Sequence, residues 1–306
     1  LKPDPAAAKP TVVPFTAATL VATIREALRA LPDGRKGGKN QRFAWAMPRW
    51  GRSRCSSSKV RRFSTFRCAC RRRGGNNASA LFGIEQIPIM QQIRNLLDPV
   101  SPAQVAPLFM ALVEPIVANA GLASHRVLDG RLLVALDGTQ HQCSAAIHCP
   151  QCSTRTLANG KTQYYHTALT PVIVAPGQPT VLPLAPEFVV PQYGQAKQDC
   201  ELNAGTRWLH RWGAQLKTWR SIVLGDDLYC HQPFCEQVLA QGGAFIFVCQ
   251  PGSHALLYEW VADFARTGEV ATRVKTRWNG TQRLTDTYRW LNALPLRDGD
   301  EALTVD

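Results

Sequence analysis

Short apolar segments alternate with amphipathic ones from Arg131 onwards, and this alternation is typical of a sheet whose strands are separated by helices. Five segments are apolar and bounded by turn residues, as buried strands are: "RLLVALDGT", "YYHTALTPVIVAP", "TVLPLAPEFVVP", "RSIVLGDD" and "AFIFVCQ". Three other segments have the apolar spacing of helices: "DCELNAGTRWLHRWGAQLK", "HQPFCEQVLAQGG" and "HALLYEWVADFART". The order of three strands, helix, strand, helix and strand predicts a mixed α/β sheet.

Helices are predicted before this region, and a hairpin after it. An amphipathic helix is expected within residues 11–31, because Leu20, Ile24 and Leu28 recur at helical spacing. Prolines are expected to divide the later segment into two or three short helices, at Pro99, Pro102 and Pro107. The segment "EVATRVKTRWNGTQRLTDTYRWLNALPL" alternates around Asn-Gly, which predicts a β-hairpin.

The positive charge of the chain is concentrated in one segment. The whole chain has a net charge of +13, and the window from Arg42 to Arg73 holds eleven Lys or Arg and no Asp or Glu. This window has neither a helical nor a strand period. The basicity therefore belongs to one segment rather than to the protein as a whole.

Three interpretations of the basic window compete. It could be a disordered arm that neutralises phosphates, or a metal knuckle built on Cys68 and Cys70. It could also be translated out of frame: with one choice of synonymous codons, the neighbouring frame over 47–72 encodes an apolar helical run. We favour the out-of-frame interpretation and expect residues 42–74 to lack packed structure, since they offer no apolar face to bury.

Two carboxylates stand at the ends of predicted buried strands. Asp137 closes "LLVALDGT", and Asp226 closes "SIVLGDD", with Asp227 beside it. If the two strands are neighbours, the carboxylates emerge at one edge of the sheet, where a pair of them suits Mg²⁺. Strand-end aspartates are also common as turn residues and helix caps, so spacing alone leaves both interpretations open.

Several blocks in order resemble the DDE transposases of bacterial insertion sequences: "DGTQHQCSAAIHCPQCSTR", "YYHTALTPVIVAPG", "KQDCELNAGTRWL" and "LGDDLYC". The resemblance covers residues 80–306 and, weakly, 15–40. It implies a ribonuclease-H-like catalytic domain with catalytic aspartates at Asp137 and Asp226, Asp227 being the alternative second acid. It also implies Mg²⁺- or Mn²⁺-dependent phosphodiester cleavage and strand transfer at terminal inverted repeats.

The resemblance also implies a domain organisation and partners. The expected divisions are an N-terminal helix and linker (1–41), the basic segment (42–75), a helical candidate DNA-binding region (76–126), the ribonuclease-H-like core (127–268) and a β-rich insertion (269–306). The implied partners are the DNA of the terminal repeats and the target, with a homo-oligomer as a further possibility. The apolar runs are too short to span a bilayer and no signal peptide is recognised, so a cytoplasmic, nucleoid-associated location is expected.

The third acid of the family is a glutamate on a later helix, and no residue here matches it. Glu259 and Glu269 precede or begin the inserted sheet, so neither is a credible substitute. The resemblance therefore predicts a C-terminally truncated, inactive chain, because a two-metal site that lacks a ligand should lose most of its rate.

A cysteine and histidine cluster follows the first aspartate. Cys149-x-x-Cys152 has the spacing of half a tetrahedral zinc site, and Cys143 and His148 are nearby candidate ligands. The second half could instead include His141, or His166 or Cys200 through the fold. Since thiolates select zinc and carboxylates select magnesium, this structural Zn²⁺ site would be separate from catalysis.

A second function remains open: a non-catalytic, zinc-stabilised nucleic-acid-binding protein. Two further roles are predicted for the segment between the acids. Trp208, Trp212 and Trp219 have the helical spacing of core residues rather than of base-stacking residues. Asp199 is predicted to cap the helix that follows it.

Overall fold

The computed structural model describes residues 16–32, 90–191, 199–299 and 302–306. The chain divides into two compact units, the first comprising residues up to His125 with Thr180–Pro186, and the second Arg126–Pro179 with Glu187–Asp306. The basic segment 42–75 lies outside the described residues, so its interpretations remain predictions. The helices of the described residues are α1 (Ala17–Ala30), α2 (Met90–Leu97), α3 (Pro102–Ala118), α4 (Glu201–Trp212), α5 (Ala214–Trp219), α6 (Gln232–Ala240) and α7 (Ala255–Thr267).

The first unit is mainly helical in its described part. Thr16 caps α1, and its hydroxyl accepts the N–H of Thr19 at 3.1 Å, so the predicted amphipathic helix is confirmed. This helix packs against α3. The expectation that Pro107 ends a helix is wrong, because α3 runs through it. A proline already has a helical φ, so it removes one backbone hydrogen bond without necessarily ending the helix.

The second unit is built on a mixed sheet whose strands lie in the order β10, β9, β2 and β6, with β1 also paired to β2. The strands are β1 (Arg126–Val127), β2 (Arg131–Ala135), β6 (Val172–Val174), β9 (Ser221–Gly225) and β10 (Ala244–Phe247). β2 is parallel to β9, β9 is parallel to β10, and β6 runs antiparallel to β2. The predicted mixed α/β class is thus confirmed.

A second sheet continues the β2–β6 ladder. Its strands are β3 (Gly138–Ser144), β4 (Ser153–Thr156), β5 (Thr162–Leu169) and β8 (Glu187–Phe188), while β7 (Leu182–Pro183) belongs to the first unit. β3 pairs with β5, which also pairs with β4 and β8. The two ladders meet where the N–H of Thr170 donates to the carbonyl of Asp137 at 3.0 Å. Asp137 therefore stands at the junction of the two sheets.

Burial of apolar side chains stabilises the strands of the central sheet and the helices that pack on it. Leu132 and Val134 of β2 are fully buried, as is Val223 of β9. Trp208 and Trp219 are buried too, which confirms core packing for those two tryptophans. In the described residues, no helix combines the length and the apolar character needed to cross a bilayer.

The C-terminal part of the second unit contains the predicted hairpin. β11 (Ala271–Trp278) and β12 (Arg283–Trp290) pair antiparallel around Asn279-Gly280, which confirms the hairpin. Nearly all of its residues are exposed. A short pair, β13 (Leu294–Pro295) with β14 (Thr304–Val305), follows.

Candidate functional site

Two aspartates follow adjacent parallel strands at corresponding positions. β2 pairs with β9 so that Ala135 lies opposite Leu224. The pairing continues past β2, since the N–H of Leu136 donates to the carbonyl of Leu224 at 2.9 Å. Asp137 lies two residues after Ala135, and Asp226 lies two residues after Leu224. Both aspartates are exposed. Neighbouring strands lie about 4.8 Å apart. The two solvent-accessible carboxylates therefore follow strands that are one strand spacing apart, at the same edge of the sheet.

The neighbouring aspartates 226 and 227 have different surroundings. Asp226 caps a short 3₁₀ turn, and its Oδ1 accepts the N–H of Leu228 at 3.0 Å. Asp227 instead faces the loop after β10: the hydroxyl of Ser253 donates to its Oδ2, and the N–H of Gln250 donates to its Oδ1 at 2.7 Å. These two hydrogen bonds lower the pKa of Asp227. The carboxylate of Asp227 therefore stabilises that loop through both of its oxygens, whereas the hydrogen bond to Asp226 engages its Oδ1.

A third carboxylate at this edge comes from Glu201, which the sequence reasoning did not identify. Glu201 lies in the first turn of α4 and accepts a hydrogen bond from the hydroxyl of Tyr229 at 2.7 Å. Its carboxylate lies against the backbone of Gly138, in space that a Cβ at that position would occupy. Gly138 directly follows Asp137, and Tyr229 lies three residues after Asp226. The signal available in the sequence was the glycine of the Asp-Gly pair, which permits this close approach.

Tyr229 connects the three acids electrostatically. Its side chain is fully buried, and burial raises the pKa of the Tyr229 hydroxyl. The hydrogen bond to Glu201 raises it further, as do the negative charges of Glu201, Asp226 and Asp137. Tyr229 therefore stays protonated and serves as a fixed donor that orients the carboxylate of Glu201.

A cluster of two thiols and an imidazole forms on the second sheet. Sγ of Cys149 lies 3.8 Å from Sγ of Cys152, and Nε2 of His166 lies 3.3 Å from each sulfur. Zn–S bonds of about 2.3 Å and Zn–N bonds of about 2.0 Å at tetrahedral angles place two sulfurs roughly 3.8 Å apart and sulfur and nitrogen roughly 3.5 Å apart. The donor set fits a zinc ion, and these residues could hold one.

The other predicted zinc ligands lie outside this group. Sγ of Cys143 is 3.9 Å from a guanidinium nitrogen of Arg155. Nδ1 of His148 is 3.1 Å from the carbonyl oxygen of Ala146, and its ring stacks on Tyr164. The imidazole that joins the two cysteines is instead His166 on β5, one of the partners that the sequence left open.

His141 and Cys200 were also possible partners from the sequence. The ring of His141 stacks on that of His166 with centroids 5.8 Å apart. Burial lowers the pKa of His166, and electrostatic repulsion from the nearby His141 lowers it further. A lowered pKa keeps the His166 imidazole neutral, which is the form that binds metal. Cys200 is exposed and is the N-cap residue of α4.

A buried ion-pair network holds α4, the helix that carries Glu201. Arg207 donates to both oxygens of Asp199 at 3.1 and 2.9 Å and to Oε1 of Glu187 at 3.1 Å. The predicted capping role of Asp199 is wrong, because Cys200 occupies the N-cap position. Asp199 instead joins α4 to β8 and the segment that follows it, since it also accepts the N–H of Val190 at 3.0 Å.

Comparison with known proteins does not assign a family. No model of a known protein family matches the chain, and no curated protein is significantly similar to it.

Proposed function

We propose that this chain is a protein of the DDE transposase type, related to DNA strand-transfer enzymes but inactive in strand transfer itself, with a ribonuclease-H-like core and Asp137 and Asp226 as its metal-binding acids. The observation that carries the proposal is the parallel pairing of β2 with β9, which brings the two strand-end carboxylates to one sheet edge. Parallel strands end together, and ligands of open α/β sheets bind at that edge.

The chain's own residues suit this chemistry in three ways. Asp137 and Asp226 offer exposed carboxylate oxygens, the ligands that Mg²⁺ and Mn²⁺ prefer. Tyr229 fixes Glu201 beside Asp137, so a third acid stands close to the pair. Divalent ions at such a site, when bound, activate an attacking oxygen and stabilise a leaving one.

Nucleic acid as the partner is supported by the exposed hairpin of β11 and β12. It carries five Lys or Arg residues against one Asp, and exposed Trp278, Tyr288 and Trp290 lie among them. Basic side chains neutralise phosphates, and aromatic rings can stack on unpaired bases. DNA of the terminal repeats remains the substrate that the motif resemblance implies.

The second candidate is a non-catalytic nucleic-acid-binding protein stabilised by zinc. The observation that favours it is the convergence of Cys149, Cys152 and His166 on a common point. Both candidates include this zinc site as a structural element, so its presence does not separate them. They differ in whether the acidic edge binds a hard divalent ion.

Mn²⁺ binding, followed by electron paramagnetic resonance of the free ion, tests the proposal. We expect Asp137→Asn and Asp226→Asn each to weaken Mn²⁺ binding at least tenfold. Asp129→Asn is the matched control, because Asp129 is an exposed turn residue that precedes β2 rather than following it. Equal Mn²⁺ affinity in the wild type and both strand-end variants would contradict the proposal and leave the zinc-binding alternative.

A further inference from the structure

A second group of soft ligands lies in the loops that follow β9 and β10. Cys230 ends the 3₁₀ turn after β9, Cys249 follows β10, and His254 immediately precedes α7. One ligand atom from each of these residues lies within 4.8 Å of the other two. Two loops that are separate in sequence, one supplying Cys230 and the other Cys249 and His254, therefore bring two thiols and an imidazole to one point.

The imidazole of His254 is buried without a hydrogen bond at Nε2. The residue is 9% exposed, and this nitrogen makes no hydrogen bond with the described part of the protein. Nε2 has an ion-pair contact with Oδ1 of Asp227, but at 3.4 Å this contact is longer than an N–H···O bond usually is. A buried polar atom without a partner costs free energy, and such atoms often mark a missing ion or water.

We propose that Cys230, Cys249 and His254 form a second binding site for Zn²⁺ or a similar thiophilic divalent ion, with Asp227 beside the fourth position. Two sulfurs and an imidazole nitrogen form a ligand set that selects zinc over magnesium. The site is separate from the Cys149, Cys152 and His166 cluster and does not depend on the transposase proposal.

The distance between the two sulfur atoms shows how far the side chains must move to bind a metal ion. Their Sγ atoms are 3.1 Å apart, and a tetrahedral zinc needs roughly 3.8 Å, so a small side-chain rotation of one cysteine suffices. The competing arrangement is a disulfide, which would need the sulfurs to approach to about 2.05 Å. A disulfide would leave Nε2 of His254 with only its long contact to Asp227 at 3.4 Å, whereas a metal ion could use this nitrogen, and this favours the metal.

An entry path and a structural consequence accompany the site. A cavity of about 310 Å³ is lined by Cys230, Ser253 and His254, so an ion can reach two of the three ligands from it. The bound ion would join the loop after β9 to the loop after β10. Since Asp226 begins the first of these loops, the ion would limit the movement of a candidate catalytic carboxylate.

Metal stoichiometry of the full chain tests the proposal. The chain would be reduced, stripped of metal and titrated with Zn²⁺ in competition with a chromogenic chelator. We expect two equivalents per wild-type chain and one in His254→Asn. His231→Asn is the matched control and should keep two, because its ring lies 6.3 Å from that of His254 and is not one of the three ligands.

The first cluster can be removed to observe the second alone. In Cys149→Ser/Cys152→Ser, Co²⁺ should still give a thiolate-to-cobalt charge-transfer band, with one equivalent bound. A wild-type stoichiometry of one that His254→Asn does not change would overturn the proposal. A linked Cys230–Cys249 peptide recovered from the unreduced chain, with no Co²⁺ band after reduction, would replace it with a disulfide.

Discussion

Replacing Asp199 by alanine is expected to destabilise the second unit by about 3–5 kcal/mol, the usual cost of leaving a buried charge without its partner. The side chain of Asp199 is 1% exposed, and that of Arg207 is 16% exposed. The substitution removes two charged hydrogen bonds from Arg207 and leaves the N–H of Val190 without its acceptor. Arg207 keeps Glu187 at 3.1 Å, so the lower half of the range is expected.

The cost should depend on pH. Burial alone would raise the pKa of Asp199, but the hydrogen bonds from Arg207 and Val190 and the charge of Arg207 hold it below 3.8, its usual value. A carboxyl whose pKa is lower in the folded state stabilises the fold above its unfolded pKa, and this contribution is lost as the pH falls through the folded pKa. The difference between wild type and Asp199→Ala should therefore be constant near neutral pH and shrink below about pH 4.

Urea unfolding followed by circular dichroism measures the difference. Asp199→Asn should cost less than Asp199→Ala, since an amide oxygen can still accept from Val190. Asp263→Ala is the control: Asp263 forms an exposed pair with Arg266, and its loss should change stability by less than about 0.5 kcal/mol. If Asp199→Ala costs no more than Asp263→Ala at neutral pH, the network does not hold α4.

Three further predictions concern the two sites. Cys152→Ser should remove one bound zinc ion and lower the thermal midpoint, whereas Cys143→Ser should keep the zinc; equal zinc content in both variants would contradict the ligand set, which contains Cys149, Cys152 and His166. Gly138→Ala should displace the carboxylate of Glu201, because the added Cβ would overlap it, and should destabilise the chain by about 1–3 kcal/mol in thermal unfolding. Gly160→Ala is the control, because its added Cβ meets no described neighbour and the only cost is its positive φ of 75°. With Mn²⁺ and a terminal-repeat duplex the chain should bind the ion weakly and join no strands; robust cleavage that disappears in Asp137→Ala would instead show that an acid within the chain, with Glu201 as the nearest candidate, completes the site.

Local patterns in the sequence predicted the elements that carry their own signal. The amphipathic spacing of α1, the apolar runs of β2 and β9 and the Asn-Gly turn between β11 and β12 all report on neighbours within a few residues. The end of α3 could not be predicted in this way. Proline disfavours a helix locally, but burial of Met110 and Val113 on the same helix outweighs the lost hydrogen bond at Pro107.

The mixed α/β class, the two strand-end aspartates and the Cys-x-x-Cys pair could be predicted from the sequence, because each depends on residues that are contiguous in the chain. The folded chain was needed to see that β2 and β9 are parallel neighbours and that Glu201 lies beside Gly138. It was also needed to see that His166 joins Cys149 and Cys152, and that Cys230, Cys249 and His254 form a separate group. The pairing of strands depends on apolar contacts between distant segments, which no local period records. A ligand set drawn from several loops depends in turn on that pairing, so it becomes visible only once the chain is folded.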